Sequence, residues 1–588
     1  MKKIHAASIL SLFLLVIFSI VKSSPSAQAG ETIAPPTNLQ SPAASADDTS
    51  IVLIWNKPVD NSDISSYNIY MDDKQIGSTK TAETPLKDPM EAFYAAPENA
   101  NAVKISVHNY KVTGLNPENK HKFSVKSVSQ NGKESAASNE IEQSTSPKKK
   151  TFLITDYGAI GDKNTLNTKA IQQAIDACTP GGKVLIPAGF FKTGPLWLKS
   201  DMTLEISPEA TLLASENADE YSYLDTSGEL RFYALINSKD AKNIRITGAG
   251  CIDGNGWMLS SSTDDGLPVF LKAKNTIKAG QPALMHTFNI GILAKSSVQK
   301  AMDSGLSFKQ AYPRRPCLIT LKDSSDIYLA DFTLRNPANH AIGIYGSKSA
   351  ALNRIRVETY DANNGDGLNF ADSDGLLVFN SLFSTGDDDI NFSAGQGLND
   401  QQKASTKNIW IFNNYIRRGH GAIVAGSHTA AWIENILAED NLIERTQTGL
   451  RCKTNQTTGG GARNIIFRDN ALKDIEKQAF VFTSNYEDPN AANAYPPADA
   501  PGVFHDITIQ NCSIDKTGEA AIEAIGIPSA SHFGLKFENL IFSHVDTIHL
   551  DYIYGSQFKN ITFTDPANVK WNIQHSSDIV IDGKSSDY

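Results

Sequence analysis

Nine times between residues 243 and 578 the chain sets an Asn or Asp against a short apolar run. The nine are Asn243-Ile-Arg-Ile, Asp326-Ile-Tyr-Leu, Asn408-Ile-Trp-Ile, Asn435-Ile-Leu, Asn464-Ile-Ile-Phe, Asp506-Ile-Thr-Ile, Asn539-Leu-Ile-Phe, Asn560-Ile-Thr-Phe and Asp578-Ile-Val-Ile. Spacings include 27 from Asn408 to Asn435, 29 from Asn435 to Asn464 and 21 from Asn539 to Asn560. A short unit recurring at such a period cannot bury an apolar face alone, so its copies must stack. The intervals leave no room for helices between strands, which disfavours a doubly wound α/β sheet. The reading is all-β: a right-handed parallel β-helix, a solenoid, over residues 151–588. The amphipathic stretch Thr168–Cys178, apolar at Ala170, Ile171, Ala174, Ile175 and Cys178, is predicted to cap its open N-terminal end.

The chain before the repeats divides in three. Lys2 and Lys3 precede an apolar run from Ile9 to Val21, and Ala27-Gln28-Ala29 supplies a small-residue cleavage site. That pattern predicts a signal peptide over 1–29, too short to span a membrane, and a periplasmic or secreted mature protein with no membrane contact after cleavage. Residues 33–146 carry short runs such as Ser50–Trp55, Ser66–Tyr70 and Phe123–Val128, divided by turn signals, as a β-sandwich does. Trp55, Leu115-Asn116-Pro117 and Phe123-Ser124-Val125 resemble a fibronectin type III domain, with His121 in place of the corner tyrosine and an inserted loop between about Ser78 and Val103. Nothing in this module carries chemistry, so a chain starting near Lys149 is expected to keep activity on short oligomers, provided the sandwich is not needed for folding. Residues 147–150 read as the linker. A net charge of −10 argues against a nucleic-acid partner. Five scattered cysteines make no disulfide framework and read as small buried apolar side chains.

Chemistry concentrates in Ser381–Asn391, SLFSTGDDDIN. Carboxylates forced together have their proton affinities pushed apart, so one is suited to act as acid and another as base. Around Asp387, Asp388 and Asp389 lie Asn364-Gly365-Asp366-Gly367 upstream, then Gly419-His420-Gly421 and Arg451-Cys452-Lys453 downstream. Asp387 follows Asp366 by 21 residues, about one coil, and stacked strands lie roughly 4.8 Å apart. Neighbouring Asp387 and Asp388 point to opposite faces of a regular strand, so a shared site requires a bend, which Gly386 permits. Arg451 and Lys453, two apart, share a face.

These stretches, in this order, resemble the polygalacturonases of glycoside hydrolase family 28, whose signatures are Asn-Thr-Asp, Gly-Asp-Asp, Gly-His-Gly and Arg-Ile-Lys. Gly365 and Cys452 depart from the pattern beside the functional positions, not at them. Gly250–Gly256 and Asn485-Tyr486 match as well. The resemblance implies inverting hydrolysis of polygalacturonate and oligogalacturonides without metal or cofactor. Asp387 would be the acid, with neighbouring carboxylates keeping it protonated; Asp366 and Asp388 would activate water across a gap of roughly 6.5–9.5 Å. His420 would hydrogen-bond to the acid or the sugar, Arg451 and Lys453 together would bind a galacturonate carboxylate, and Tyr486 would stack on or hydrogen-bond to a sugar ring. Asp389 is left out of the site, and a monomer is expected.

Two rivals have other chemistry. A pectate lyase shares the fold but eliminates with Ca²⁺; a non-catalytic polysaccharide-binding β-helix gives no reason for the carboxylate spacing. Within the hydrolases, the open question is endo against exo attack. Fifty-seven residues separate Trp257 from Arg315, and a second loop, Glu487–Gly502, holds Pro489, Pro496, Pro497 and Pro501. Loops of this size on one face of a solenoid are expected to wall the groove into a pocket. That arrangement resembles bacterial exo-polygalacturonases with an N-terminal fibronectin type III domain, which release short units, commonly the disaccharide, from the non-reducing end. The endo mode is the alternative, with the insert only bracing the first domain.

Overall fold

The computed structural model describes residues 33–226, 229–264, 267–270, 288–487 and 495–588. The expected signal segment lies outside the described residues, as do residues 271–287 of the first long insert and 488–494 of the second. Among the described residues no helix is long and apolar enough to cross a membrane.

From Thr151 onward the chain winds in coils of three strands. One coil runs Asp374–Phe379, Leu382–Thr385 and Ile390–Ser393. Each strand pairs in parallel with its counterparts in the coils on either side: Leu376 lies between Ala350 and Ile409, Phe383 between Val357 and Ile416. The first two strands of each coil merge into a 26-stranded sheet, and the third forms a sheet of 12. Ile319, Ile342, Leu368, Ile390, Ile423, Leu450, Phe480 and Ile522 follow one another in register along the 12-stranded sheet, all buried inside the coil. Their neighbours Asn369, Asn391, Val424 and Arg451 take the opposite face, because side chains alternate across a strand. The fold is thus the parallel β-helix expected. The helix Thr168–Ala177 covers its first coils with Ile171, Ala174 and Ile175.

The repeated Asn and Asp have a backbone reason. All nine have φ between +50° and +60°; seven sit near the start of their strand, and Asn539 and Asn560 lie deeper in longer strands, in a second column that continues from Asn511. Asn and Asp enter this left-handed region more readily than other residues with a side chain, so the repeat marks a kink in every coil. Gly534, φ 63°, stands in the same register beside Asp506. The amides also ladder: Asn435 Nδ2 donates to Asn408 Oδ1 at 3.1 Å, and Asn464 Nδ2 to Asn435 Oδ1 at 3.3 Å. A second ladder lies wholly inside, where Asn414 Nδ2 donates to Asn441 Oδ1 and Asn441 Nδ2 to Asn470 Oδ1, each at 3.0 Å. Buried amides persist when such partners satisfy them.

The N-terminal module is a sandwich of a three-stranded and a five-stranded sheet. Its core holds Leu53, Trp55, Tyr67, Phe123 and Val125. His121 lies 2.7 Å from the Asp72 carboxylate, which takes the place of a corner tyrosine bond. The strand Ser50–Asn56 is buried on both faces: Ile51, Leu53 and Trp55 point into the sandwich, while Val52 and Ile54 pack on Tyr328, Phe379, Trp410 and Phe412 of the β-helix. The inserted segment after Ser78 forms the helix Lys87–Ala95, which lays Phe93 on Leu442 and Ala471. Lys149 bonds to Asp47, which also pairs with Arg245 at 2.9 Å, so the junction is pinned. All five cysteines are free, and four are buried.

Candidate active site

The aspartate triplet occupies the irregular turn 386–389, where the chain leaves the 26-stranded sheet and enters the 12-stranded one. A Cβ at residue 386 would meet the Ala362 backbone nitrogen at 2.5 Å, so Gly386 is needed for two turns to approach. The local step between coils is 22 residues, since Leu368 pairs with Ile390. Asp366 therefore stacks on Asp388, not on Asp387; the Gly367 N–H donates to the Asp388 carbonyl at 2.9 Å. The bend expected at this point is present, and the register differs from expectation by one residue.

Each carboxyl has its own partners. Asp366 is buried, accepts from Asn369 Nδ2 at 2.8 Å and lies 3.1 Å from His340 Nδ1. Burial acts to raise its pKa, but the charge and contact of His340 and the bond from Asn369 outweigh it, and the net shift is downward. Asp388, also buried, accepts from Lys453 Nζ at 2.7 Å and from Asn391 Nδ2 at 3.2 Å, both on Oδ2. Asp387 is more open. Its Oδ1 lies 2.9 Å from His420 Nδ1 and accepts from the Asp388 N–H at 3.0 Å, while its Oδ2 accepts from the Asn364 N–H at 3.2 Å. The hydrogen bond to Asp387 raises the His420 pKa against the opposing effect of burial.

The cation pair is less symmetrical than its sequence implies. Lys453 is buried and already paired with Asp388, whereas Arg451 is partly exposed, with its guanidinium 3.9 Å from Asp388 Oδ1. The two were expected to share a substrate carboxylate; the geometry leaves Arg451 the more accessible. Tyr486 sits beside both, its ring 5.4 Å from the Arg451 guanidinium and 5.0 Å from the Lys453 ammonium.

Four residues not singled out from the sequence complete the site. Asn369 and Asn391 pair in register, each three residues after the aspartate it holds. The signal was visible as a repeat, Asp366-Gly-Leu-Asn-Phe and Asp388-Asp-Ile-Asn-Phe. His340 reaches Asp366 from the preceding coil. Arg315 is wholly buried, donates to the carbonyls of Ala338 and Asn363 at 2.9 and 3.0 Å, and donates to Asn364 Oδ1 at 2.8 Å. It ties the end of the first insert to the turn whose N–H meets Asp387. The described part of the second loop zips to other turns: Asn455 Nδ2 donates to the Tyr495 hydroxyl at 2.9 Å and the Leu398 N–H to the Pro496 carbonyl at 3.0 Å.

A parallel β-helix with clustered carboxyls, a histidine and cations at the edge of one sheet has the make-up of a polysaccharide-degrading enzyme. Residues 178–522 match the model for glycosyl hydrolases family 28, and residues 34–144 match the fibronectin type III domain. An exo-poly-alpha-D-galacturonosidase of Dickeya chrysanthemi is 40% identical over 97% of both chains. A family 28 exopolygalacturonase of Yersinia enterocolitica superposes with a TM-score of 0.88, at 39% identity, over 94% of this chain and all of that one. An endo-polygalacturonase of Pectobacterium carotovorum is 28% identical over 58% of this chain and 77% of its own. The chain belongs to glycoside hydrolase family 28.

Proposed function

We propose that the protein is an exo-acting polygalacturonase. It hydrolyses α-1,4 galacturonosyl linkages of polygalacturonate and oligogalacturonides from the non-reducing end, releasing digalacturonate. The observation that carries the chemistry is the division of labour among the carboxyls. Asp366 and Asp388 stack in register, each buried and held by its own Asn, while Asp387 stands apart, bonded to His420. A single-displacement hydrolysis needs one carboxyl to protonate the leaving oxygen and others to take a proton from water. Asp387 suits the first role, since it is the more open of the three and lies 2.9 Å from His420 Nδ1. Asp366, with its pKa lowered, and Asp388, paired with Lys453, suit the second. Arg451 binds the substrate carboxylate, and Tyr486 orients it.

The exo mode is supported by full-length likeness to an exo-acting relative and by the described ends of the two long inserts, where Arg315 is held on Asn364 and Tyr495 on Asn455. The test is viscosity against reducing ends on polygalacturonate. Digalacturonate is expected from the first time points while viscosity falls slowly; a sharp early drop with a ladder of oligomers would mean an open groove and endo attack.

Substitution of the cation pair should separate its members. Arg451→Ala is expected to raise KM with a smaller change in kcat, because a fixed substrate charge loses its partner. Lys453→Ala is expected to lower kcat and Tm together, because it leaves the Asp388 carboxylate buried without its counter-ion, a loss of about 3–5 kcal/mol. Equal effects of the two on KM alone, with Tm unchanged, would contradict this division.

A further inference from the structure

Asp389, the third aspartate of the triplet, is fully buried, yet the mechanism does not use it. Thr385 Oγ1 lies 2.7 Å from the Asp387 carbonyl oxygen and 2.8 Å from Asp389 Oδ1. A hydroxyl has one proton to donate, and a carbonyl oxygen can only accept. If Thr385 gives its proton to the carbonyl, its contact with Asp389 is a hydrogen bond only when Asp389 donates. We propose that Asp389 is a positioning residue, held as a neutral carboxylic acid, whose O–H donates to Thr385 and through it fixes the main chain of Asp387.

The surroundings agree. Asp389 Oδ2 has no hydrogen-bond partner among the described residues and lies under Gly419: a Cβ there would stand 2.5 Å from it, and φ at Gly419 is 81°. An ionised Oδ2 in that position would lack a donor, which is costly for a buried charge. The groups facing it are the carboxyls of Asp366, Asp387 and Asp388. The nearby cations are already engaged: His340 with Asp366, His420 with Asp387, Lys453 with Asp388, and Arg451 beside Asp388. Burial above all, joined by the charges of Asp388, Asp366 and Asp387, pushes the Asp389 pKa well up; the opposing contribution would come only from Thr385 donating to an ionised Asp389, the arrangement the proposal replaces.

The inference rests on Asp387 as the acid, a reading that Asp387→Asn tests separately. Asp389→Asn retains a donor to Thr385 and removes the titration. Its kcat should stay within about threefold of wild type, whereas Asp389→Ala and Thr385→Val should lower kcat tenfold or more with KM little changed. The pH dependence gives a second readout. A carboxyl with raised pKa contributes stability that is complete below its unfolded value and is lost as pH rises toward the folded value. The Tm of Asp389→Asn minus that of wild type should therefore grow between pH 4 and 8. A hundredfold loss of kcat in Asp389→Asn, or a Tm difference that is flat or falls with pH, would overturn the proposal. If Asp389→Ala does not fold, Thr385→Val and the pH series decide it.

Discussion

Asp387→Asn is expected to lose about 10²–10⁴-fold in kcat, the range for removal of a general acid, with Tm within a few degrees of wild type. The carboxyl is at the rim of the site, its side chain partly exposed and bonded to His420. Asn keeps its shape and can still accept one of the two backbone N–H bonds. Losing the other costs about 1 kcal/mol, small beside the effect on rate. The same substitution should change His420. In the wild type the bond to Asp387 raises the imidazole pKa above its ordinary 6.5. That contribution is complete below the free value and disappears as pH rises through the raised one. NMR titration of His420 should show a lower midpoint in Asp387→Asn. A substantially unfolded variant, or one retaining wild-type kcat, would remove Asp387 from the acid role.

The fold was legible because its repeat is a backbone requirement. Only a few residue types tolerate a left-handed kink in every coil, so Asn243 through Asp578 had to appear as a pattern. The internal ladder of Asn414, Asn441 and Asn470 was not legible, since a polar residue in a strand reads equally well as outward-facing. The acids could be recognised by type and order, but their register could not: coils here differ in length, and a step of 22 in place of 21 exchanges Asp388 for Asp387 opposite Asp366. The pairing of Lys453 with Asp388 was not legible, because 65 residues separate the two. The strand Ser50–Asn56 held a clue that alternation alone concealed. Its run Ile51-Val52-Leu53-Ile54-Trp55 is continuously apolar, as strands covered on both faces are.

That strand reverses the expectation for a chain beginning near Lys149: it should fail to fold. Removing the module would uncover Tyr328, Phe379, Trp410 and Phe412 on the β-helix, at about 1.5–3 kcal/mol for each large apolar side chain returned to water. It would also break a buried charge cluster. Lys57 Nζ bonds to Asp440 and lies 2.8 Å from Asp469 and 3.8 Å from Glu439, and His108 Nε2 lies 3.3 Å from Asp440. Asp440 is fully buried in the intact chain, and Lys57, His108 and the Ser106 N–H that hold it all come from the module, so the pairing is lost with it. Together these losses match the whole stability of a typical domain, about 5–15 kcal/mol. The truncated chain should express as aggregate, or as a species without near-ultraviolet circular dichroism. Lys57→Met in the full chain should be milder, because it leaves the apolar contact in place while removing the counter-ion. A soluble, monomeric truncated protein with wild-type activity on short oligogalacturonides would show that the module is a passenger, and that the β-helix tolerates its aromatic face in water.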